Sequence, residues 1–88
     1  MSLFFVFNPD RDPQVISRIE TNYPGSIAMG TGAIISVPSS TSTAVVNALT
    51  NQRTDKPNLM VFPISEIPDG IVSRSVADWL TKHSEDVT

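Results

Sequence analysis

The chain has 88 residues, of which 40% are hydrophobic and 17% charged, and its formal net charge is −3. We expect one domain at this length, and the six scattered Lys and Arg residues disfavour nucleic-acid binding, which needs clustered positive charge. The chain has no cysteine for disulfides, metal thiolates or thiol nucleophiles, and no apolar run near the ~20 residues of a membrane span.

Two patterns near the N-terminus predict a strand and a helix. Residues 3–7 form an apolar, aromatic-rich run, which is typical of a strand buried on both faces. Asp12 and Pro13 then offer a helix start, because Asp caps free N–H groups and Pro is preorganised for the first helical position. Apolar residues at helical spacing continue this helix up to Pro24: Val15, Ile16, Ile19 and Tyr23.

Two strands over residues 26–29 and 33–37 follow, joined by Gly30, Thr31 and Gly32. Glycine supplies the positive φ that a tight hairpin needs. The same three residues are a candidate ligand-binding site, because successive backbone N–H groups can form an anion-binding nest. The segment lacks the Lys-Ser/Thr of a phosphate-binding loop and the third glycine of a dinucleotide fingerprint. A hairpin turn is the favoured interpretation, with a small ligand at a subunit boundary as the alternative.

The second half predicts another helix and a last strand. The hydroxyl-rich segment 39–43 predicts the cap of a helix over residues 44–49. A polar loop over residues 51–58 separates this helix from an apolar strand at residues 59–62, which Pro63 is expected to end.

A short helix is predicted near the C-terminus, after a turn region over residues 65–70. Ser75 and Asp78 have the spacing of a capping box for this helix. Its apolar side consists of Val76, Trp79 and Leu80. Residues 84–88 are polar and predict a disordered tail, so the domain is expected to span residues 1–83.

This order of elements predicts an α+β domain of the ferredoxin-like βαββαβ kind, with two helices on one face of an antiparallel sheet plus a short C-terminal helix. Both faces of the first and last strands are apolar, but two helices cover only one face. The charged fraction is also below the roughly 25% of average soluble domains, which indicates a covered surface. The short last helix offers little cover, so we expect a homodimer through the open sheet face. Candidate contacts are Phe5, Phe7, Val61 and Trp79, and the alternative for Trp79 is a core residue that pins the last helix to the sheet.

Two acidic residues after the first strand are the candidate metal ligands. Asp10 and Asp12 could hold Mg²⁺, a hard cation that prefers oxygen ligands. The alternative is a turn in which Asp12 caps the helix and Asp10 faces solvent. His83 is the only histidine, and one histidine without cysteine makes neither a catalytic triad nor a His-rich metal site. We therefore identify no catalytic residue, and no cofactor is expected apart from Mg²⁺ under the metal-binding alternative.

Four segments resemble the small SinR-like proteins, which are ferredoxin-like relatives of the CRISPR-associated adaptation nuclease family: residues 33–37, 40–49, 58–64 and 77–83. The last of them resembles the Trp-Leu-x-Lys-His type of ending common in that group. The resemblance implies a ferredoxin-like fold and a symmetric dimer. The related nucleases carry an aspartate at the end of the first strand that binds a metal across the dimer axis. Here that position is Asn8, with Asp10 two residues later, and an uncharged asparagine is a poor Mg²⁺ ligand.

The function predicted from the sequence is a homodimeric, non-catalytic interaction or regulatory module in the cytoplasm. A second copy is the expected partner, another protein is the other candidate, and no membrane is involved. Two alternatives remain open: a metal-dependent nuclease that uses Asp10 or Asp12, and a small-ligand sensor at residues 30–32.

Overall fold

The computed structural model describes residues 1–66, 70 and 72–86. Over these residues the chain is an α+β domain with one four-stranded antiparallel sheet and three α-helices, as predicted at this level. The strands are β1 (Ser2–Phe7), β2 (Ile27–Met29), β3 (Gly32–Val37) and β4 (Met60–Ile64). The helices are α1 (Pro13–Asn22), α2 (Ser42–Thr50) and α3 (Arg74–Lys82), followed by a 3-10 turn over Ser84–Asp86. Residues 67–69 of the predicted turn and 87–88 of the predicted tail lie outside the described residues.

The strands are arranged in the order β2-β3-β1-β4, and each neighbouring pair is antiparallel. Phe5 of β1 lies opposite Ile34 of β3 and Phe62 of β4. Because side chains alternate along a strand, this register places Leu3, Phe5 and Phe7 on one face of the sheet, and Phe4 and Val6 on the other.

The larger core lies between α1, α2 and the face that carries Phe4 and Val6. Val15 and Ile19 of α1 and Val45 and Leu49 of α2 are buried against this face. Each such side chain stabilises the fold by about 1.5–3 kcal/mol. The Arg18 guanidinium donates a 3.2 Å hydrogen bond to the Leu49 carbonyl, which connects α1 to the last turn of α2.

A smaller core lies on the opposite face, where α3 covers the part of the sheet near β2 and β3. Val76 and Leu80 of α3 are buried with Ile34. The Trp79 indole N–H donates a 2.7 Å hydrogen bond to the Gly25 carbonyl, so α3 is fastened to the turn between α1 and β2. Helix α3 therefore covers more of this face than the sequence predicted. It leaves the half of the face with Phe7, Met60 and Phe62 exposed.

The start of α3 differs from the prediction. Ser73, not Ser75, is the N-cap: its hydroxyl accepts a 3.4 Å hydrogen bond from the Val76 N–H, and its backbone is extended. Asp78, the predicted partner of Ser75, instead lies 4.0 Å from Arg74 one helical turn earlier. The capping box was wrong because Ser73 and Ser75 stand two positions apart and either residue type can cap a helix. After α3, residues 84–86 form a 3-10 turn where the sequence predicted a disordered tail.

Strand β4 continues through Pro63, where the sequence predicted its end. Within the described sheet β4 pairs with β1 alone, with Pro63 opposite Phe4. Proline has no N–H, so a paired strand accommodates it where its nitrogen faces away from the neighbouring strand, and an edge strand offers such a position. None of the helices in the described part of the chain has the length and apolar character needed to cross a lipid bilayer.

Candidate functional site

An exposed apolar surface lies on the half of the sheet that α3 leaves open. Three large side chains of β1 and β4 are exposed there: Phe7 by 36%, Met60 by 56% and Phe62 by 44%. Phe7 lies directly opposite Met60, and Phe62 follows Met60 on the same face. We call these three residues the apolar strip. Contiguous apolar surface of this kind marks interaction sites on soluble proteins.

Phe5, one of the contacts predicted from the sequence, lies next to the apolar strip toward the centre of the sheet. The Phe5 ring stacks on the Phe62 ring, with centroids 6.3 Å apart and planes 29° apart, and Phe5 is half-buried beside the smaller core. Of the predicted contacts, Phe7 thus lies on the open half of the face, and Phe5 lies at its border with the smaller core. Sequence reasoning missed Met60 and Phe62 because both faces of this strand are apolar, so the pattern does not show which residues face solvent.

The other two predicted contacts lie elsewhere. Val61 points to the opposite face, where it is 8% exposed in the larger core, so its side chain is not available to a partner. Trp79 lies on α3, bonded to Gly25, and its ring stacks on His83 with centroids 4.0 Å apart. Its roles are therefore to fasten α3 and to support the helix end.

The loop after β1 is organised around Asp12. Its Oδ1 accepts hydrogen bonds from the backbone N–H groups of Gln14 and Val15, at 3.0 and 3.2 Å, so Asp12 caps α1 as the turn interpretation predicted. Arg53 binds the same carboxylate with two prongs, Nη1 to Oδ1 at 2.9 Å and Nη2 to Oδ2 at 3.0 Å. These hydrogen bonds from Arg53 are the main reason that the pKa of the Asp12 carboxyl falls to about 2.

Arg53, which lies in the polar loop after α2, is a partner of Asp12 that sequence reasoning missed. Its side chain is 7% exposed and also forms an ion pair with Asp55, which lowers the pKa of that carboxyl. The hydrogen bonds that the Arg53 guanidinium donates to Asp55 and Asp12 raise its own pKa. Asp55 lies two positions from Arg53 in the sequence, so this ion pair could have been predicted from their proximity along the chain. The contact with Asp12 spans 41 positions, so the sequence carries no local signal for it.

Asn8 is buried beneath the loop after β1 and holds it through hydrogen bonds. It is 3% exposed, and its side-chain amide exchanges two hydrogen bonds with the Asp12 backbone, accepting at 3.1 Å and donating at 3.2 Å. The Asn8 backbone N–H donates a 2.7 Å hydrogen bond to the Thr31 carbonyl. The Asn8 side chain therefore has a structural task, which is to hold the loop in front of α1, while its backbone connects this loop to the β2–β3 turn.

The donor set around the two aspartates does not fit Mg²⁺. Arg53 donates hydrogen bonds to both carboxylate oxygens of Asp12 and balances their negative charge. A cation would have to displace Arg53 before it could bind these oxygens. Asp10 accepts a 2.8 Å hydrogen bond from the Asn58 side chain. Within the described ranges, no three His, Cys, Asp or Glu side chains come close enough to hold a metal ion together.

The three predicted ligand-binding residues lie together at a pocket. Gly30, Thr31 and Gly32 line a cavity of about 150 Å³ between α1 and the β2–β3 hairpin. Gly30 has φ 55°, a backbone conformation that favours glycine in the turn. A Cβ on Gly32 would lie 2.5 Å from the Val6 carbonyl oxygen, so this position excludes a side chain.

Comparison with protein-family models, with curated proteins and with solved structures finds no match to this chain. The functional conclusion therefore depends on the geometry of the apolar strip, the loop around Asp12 and the pocket.

Proposed function

We propose that the chain is a homodimeric, non-catalytic interaction or regulatory module that associates through the apolar strip and the edge of β4. The observation that carries the proposal is the exposure of Phe7, Met60 and Phe62 on two neighbouring strands, on the half of the sheet that α3 leaves open. Removing such surface from water is favourable by about 25 cal/mol per Å². An exposed edge strand also offers backbone groups to a partner.

We also propose a ferredoxin-like classification for the fold. The strand order β2-β3-β1-β4 supports it, because each of α1 and α2 joins two strands that flank a third strand in the sheet. The relationship to SinR-like proteins stays a prediction, and the proposed dimer does not depend on it.

The backbone of β4 supports a second copy as the partner. If the Pro63 nitrogen faces away from β1, alternation places the N–H and C=O of Val61 on the open edge as well. An antiparallel pairing of β4 with β4 of a second copy, with its two-fold axis at Val61, lets the two Val61 residues exchange both backbone hydrogen bonds. Residue 59 can in addition donate to the Pro63 carbonyl of the second copy.

The side chains agree with the same register. Met60 would lie opposite Phe62 of the second copy, and Phe62 opposite its Met60, so the two apolar strips would meet at the centre of one continuous sheet. Continued beyond both ends of β4, the same register sets Lys56 opposite Glu66 of the second copy. Both residues are exposed, and within the described residues neither forms an ion pair. This self-complementarity of charge favours a second copy over an unrelated strand.

Absolute mass from light scattering, over a micromolar dilution series, tests the dimer. We expect a dimer for the natural chain and a monomer for Phe62→Lys, because the lysine places a charge in the apolar contact. Ile16→Lys is the matched control: Ile16 is 38% exposed, similar to Phe62, but lies on α1 at the other side of the molecule. A monomeric natural chain at every concentration would contradict the proposal and leave another protein as the partner.

Disulfide cross-linking tests the register, and the absence of cysteine from the natural chain makes it unambiguous. An oxidised mixture of Met60→Cys and Phe62→Cys proteins should form more covalent dimer than either protein alone. A dimer by mass that cross-links equally in all three samples would reject the register and leave the dimer proposal in place.

The nuclease alternative has no comparable support among the described residues, because Asp12 is held by Arg53 and Asp10 by Asn58. Cleavage of nucleic acid that requires Mg²⁺ and disappears in Asp10→Ala would restore it.

A further inference from the structure

The pocket between α1 and the β2–β3 hairpin exists because the hairpin residues that face α1 are small. Ala28 and Ala33 line the sheet side of the cavity and Gly30 lines its turn, so no large side chain fills the space beneath this part of α1. On the helix side, Ile19 is buried in the floor, and Ile16 is 38% exposed beside the opening. The cavity of about 150 Å³ equals in size an apolar cavity that holds a benzene molecule. It thus has room for a short branched aliphatic group.

Two opposite charges flank this apolar space. Arg11 and Glu20 both line the pocket and are exposed. Within the described residues neither side chain forms an ion pair, in contrast to Arg53 and Asp12 nearby. A guanidinium binds a carboxylate, and a carboxylate binds an ammonium group, so the pair is complementary to a zwitterion.

The backbone conformation of Arg11 is an independent sign that the fold holds this residue in one place beside the pocket. Its φ of 51° lies in the left-handed region, which is uncommon for a residue other than glycine. Asn8 maintains this conformation: its carbonyl accepts the Arg11 N–H at 3.0 Å, and its own N–H is bonded to Thr31 on the other wall of the pocket. Such strain persists where the surroundings fix it, and it clusters at ligand sites.

We propose that this pocket binds a short branched aliphatic amino acid, with the side chain between Ile16, Ile19 and Ala33, the carboxylate on Arg11 and the ammonium on Glu20. The site is separate from the proposed dimer contact, because it lies on the helix-covered face of the sheet rather than on the apolar strip.

Thermal unfolding and amide chemical shifts of the full chain, with three probes at millimolar concentration, test the proposal. The probes are L-isoleucine, 3-methylpentanoate, which is the same molecule without the ammonium group, and 2-methylbutylamine, which is the same molecule without the carboxylate. A ligand that binds only the folded state raises the unfolding midpoint. We expect L-isoleucine to raise it and to shift the amide signals of Thr31 and Ala33, and each of the two singly charged analogues to raise it less than L-isoleucine does.

Three variants assign the contacts. Arg11→Asn, which keeps a residue tolerant of the left-handed backbone, should weaken L-isoleucine binding at least about tenfold. Glu20→Gln should weaken L-isoleucine binding but leave 3-methylpentanoate binding unchanged. Ala28→Leu should fill the cavity and remove binding of both. No response to any probe, or binding that survives both Arg11→Asn and Ala28→Leu, would overturn the proposal.

Discussion

Arg53 and Asp12 are separated by 41 positions and meet in a two-pronged ion pair at 2.9 and 3.0 Å. The pair joins the polar loop after α2 to the first turn of α1, because the same Asp12 carboxylate also caps that helix. The guanidinium is almost fully enclosed, whereas the Asp12 side chain remains 20% exposed. A loop that appeared featureless in the sequence therefore fixes the start of a core helix.

The ion pair predicts a pH dependence of stability. The carboxyl of Asp12 has a pKa of about 2 in the folded chain against 3.8 ordinarily, so its ionised form stabilises the fold above about pH 4. This contribution should disappear as the pH falls through 2. Urea unfolding at intervals between pH 6 and pH 2 should show a smaller loss of stability for Asp12→Asn than for the natural chain. Asp78→Asn is the control, since its side chain is 74% exposed; equal slopes for Asp12→Asn and the natural chain would contradict the prediction.

The close approach of β1 and β3 predicts that Gly32 tolerates no side chain. A Cβ there would lie 2.5 Å from the Val6 carbonyl oxygen and 2.7 Å from the Phe5 ring. Gly32→Ala should therefore lower the free energy of unfolding by about 1–3 kcal/mol, the usual cost of overpacking. Gly25→Ala is the matched control, because nothing lies within 4 Å of its added Cβ, and its effect should stay within about 0.5 kcal/mol. Chemical denaturation measures both, and similar losses for the two variants would reject the steric explanation.

The element order was predictable because each element carries a local signal. Asp12 before Pro13 marks the start of α1, and Gly30 marks the β2–β3 turn, where the structure indeed has a positive φ. The coverage of the sheet was not predictable, since Val61 and Phe62 are both apolar and only the register with β1 decides which one is buried. The pairing of Asp12 with Arg53 depends on the tertiary fold, so no spacing rule reveals it.

The hydrogen bond from Trp79 to Gly25 predicts how firmly α3 is held on the sheet. Trp79→Phe keeps an aromatic ring beside His83 but removes the indole N–H donor, so the variant should lose about 1 kcal/mol of stability. Hydrogen exchange of residues 74–82 should accelerate more than exchange in β1, because α3 opens separately from the larger core. Unchanged exchange in α3 would show that Val76 and Leu80 alone hold the helix.

The register proposed for β4 predicts a charge-reversal experiment. Lys56 of one copy would lie near Glu66 of the other, so Lys56→Glu should weaken the dimer by roughly tenfold, since two attractive contacts per dimer become repulsive. Adding Glu66→Lys to the same chain should restore the affinity, because the charges are then exchanged rather than lost. Sedimentation at low salt measures both variants, and the difference should shrink at about 1 M salt, where the screening length is ~3 Å. A double variant that stays as weak as the single one would place the two-fold axis away from Val61.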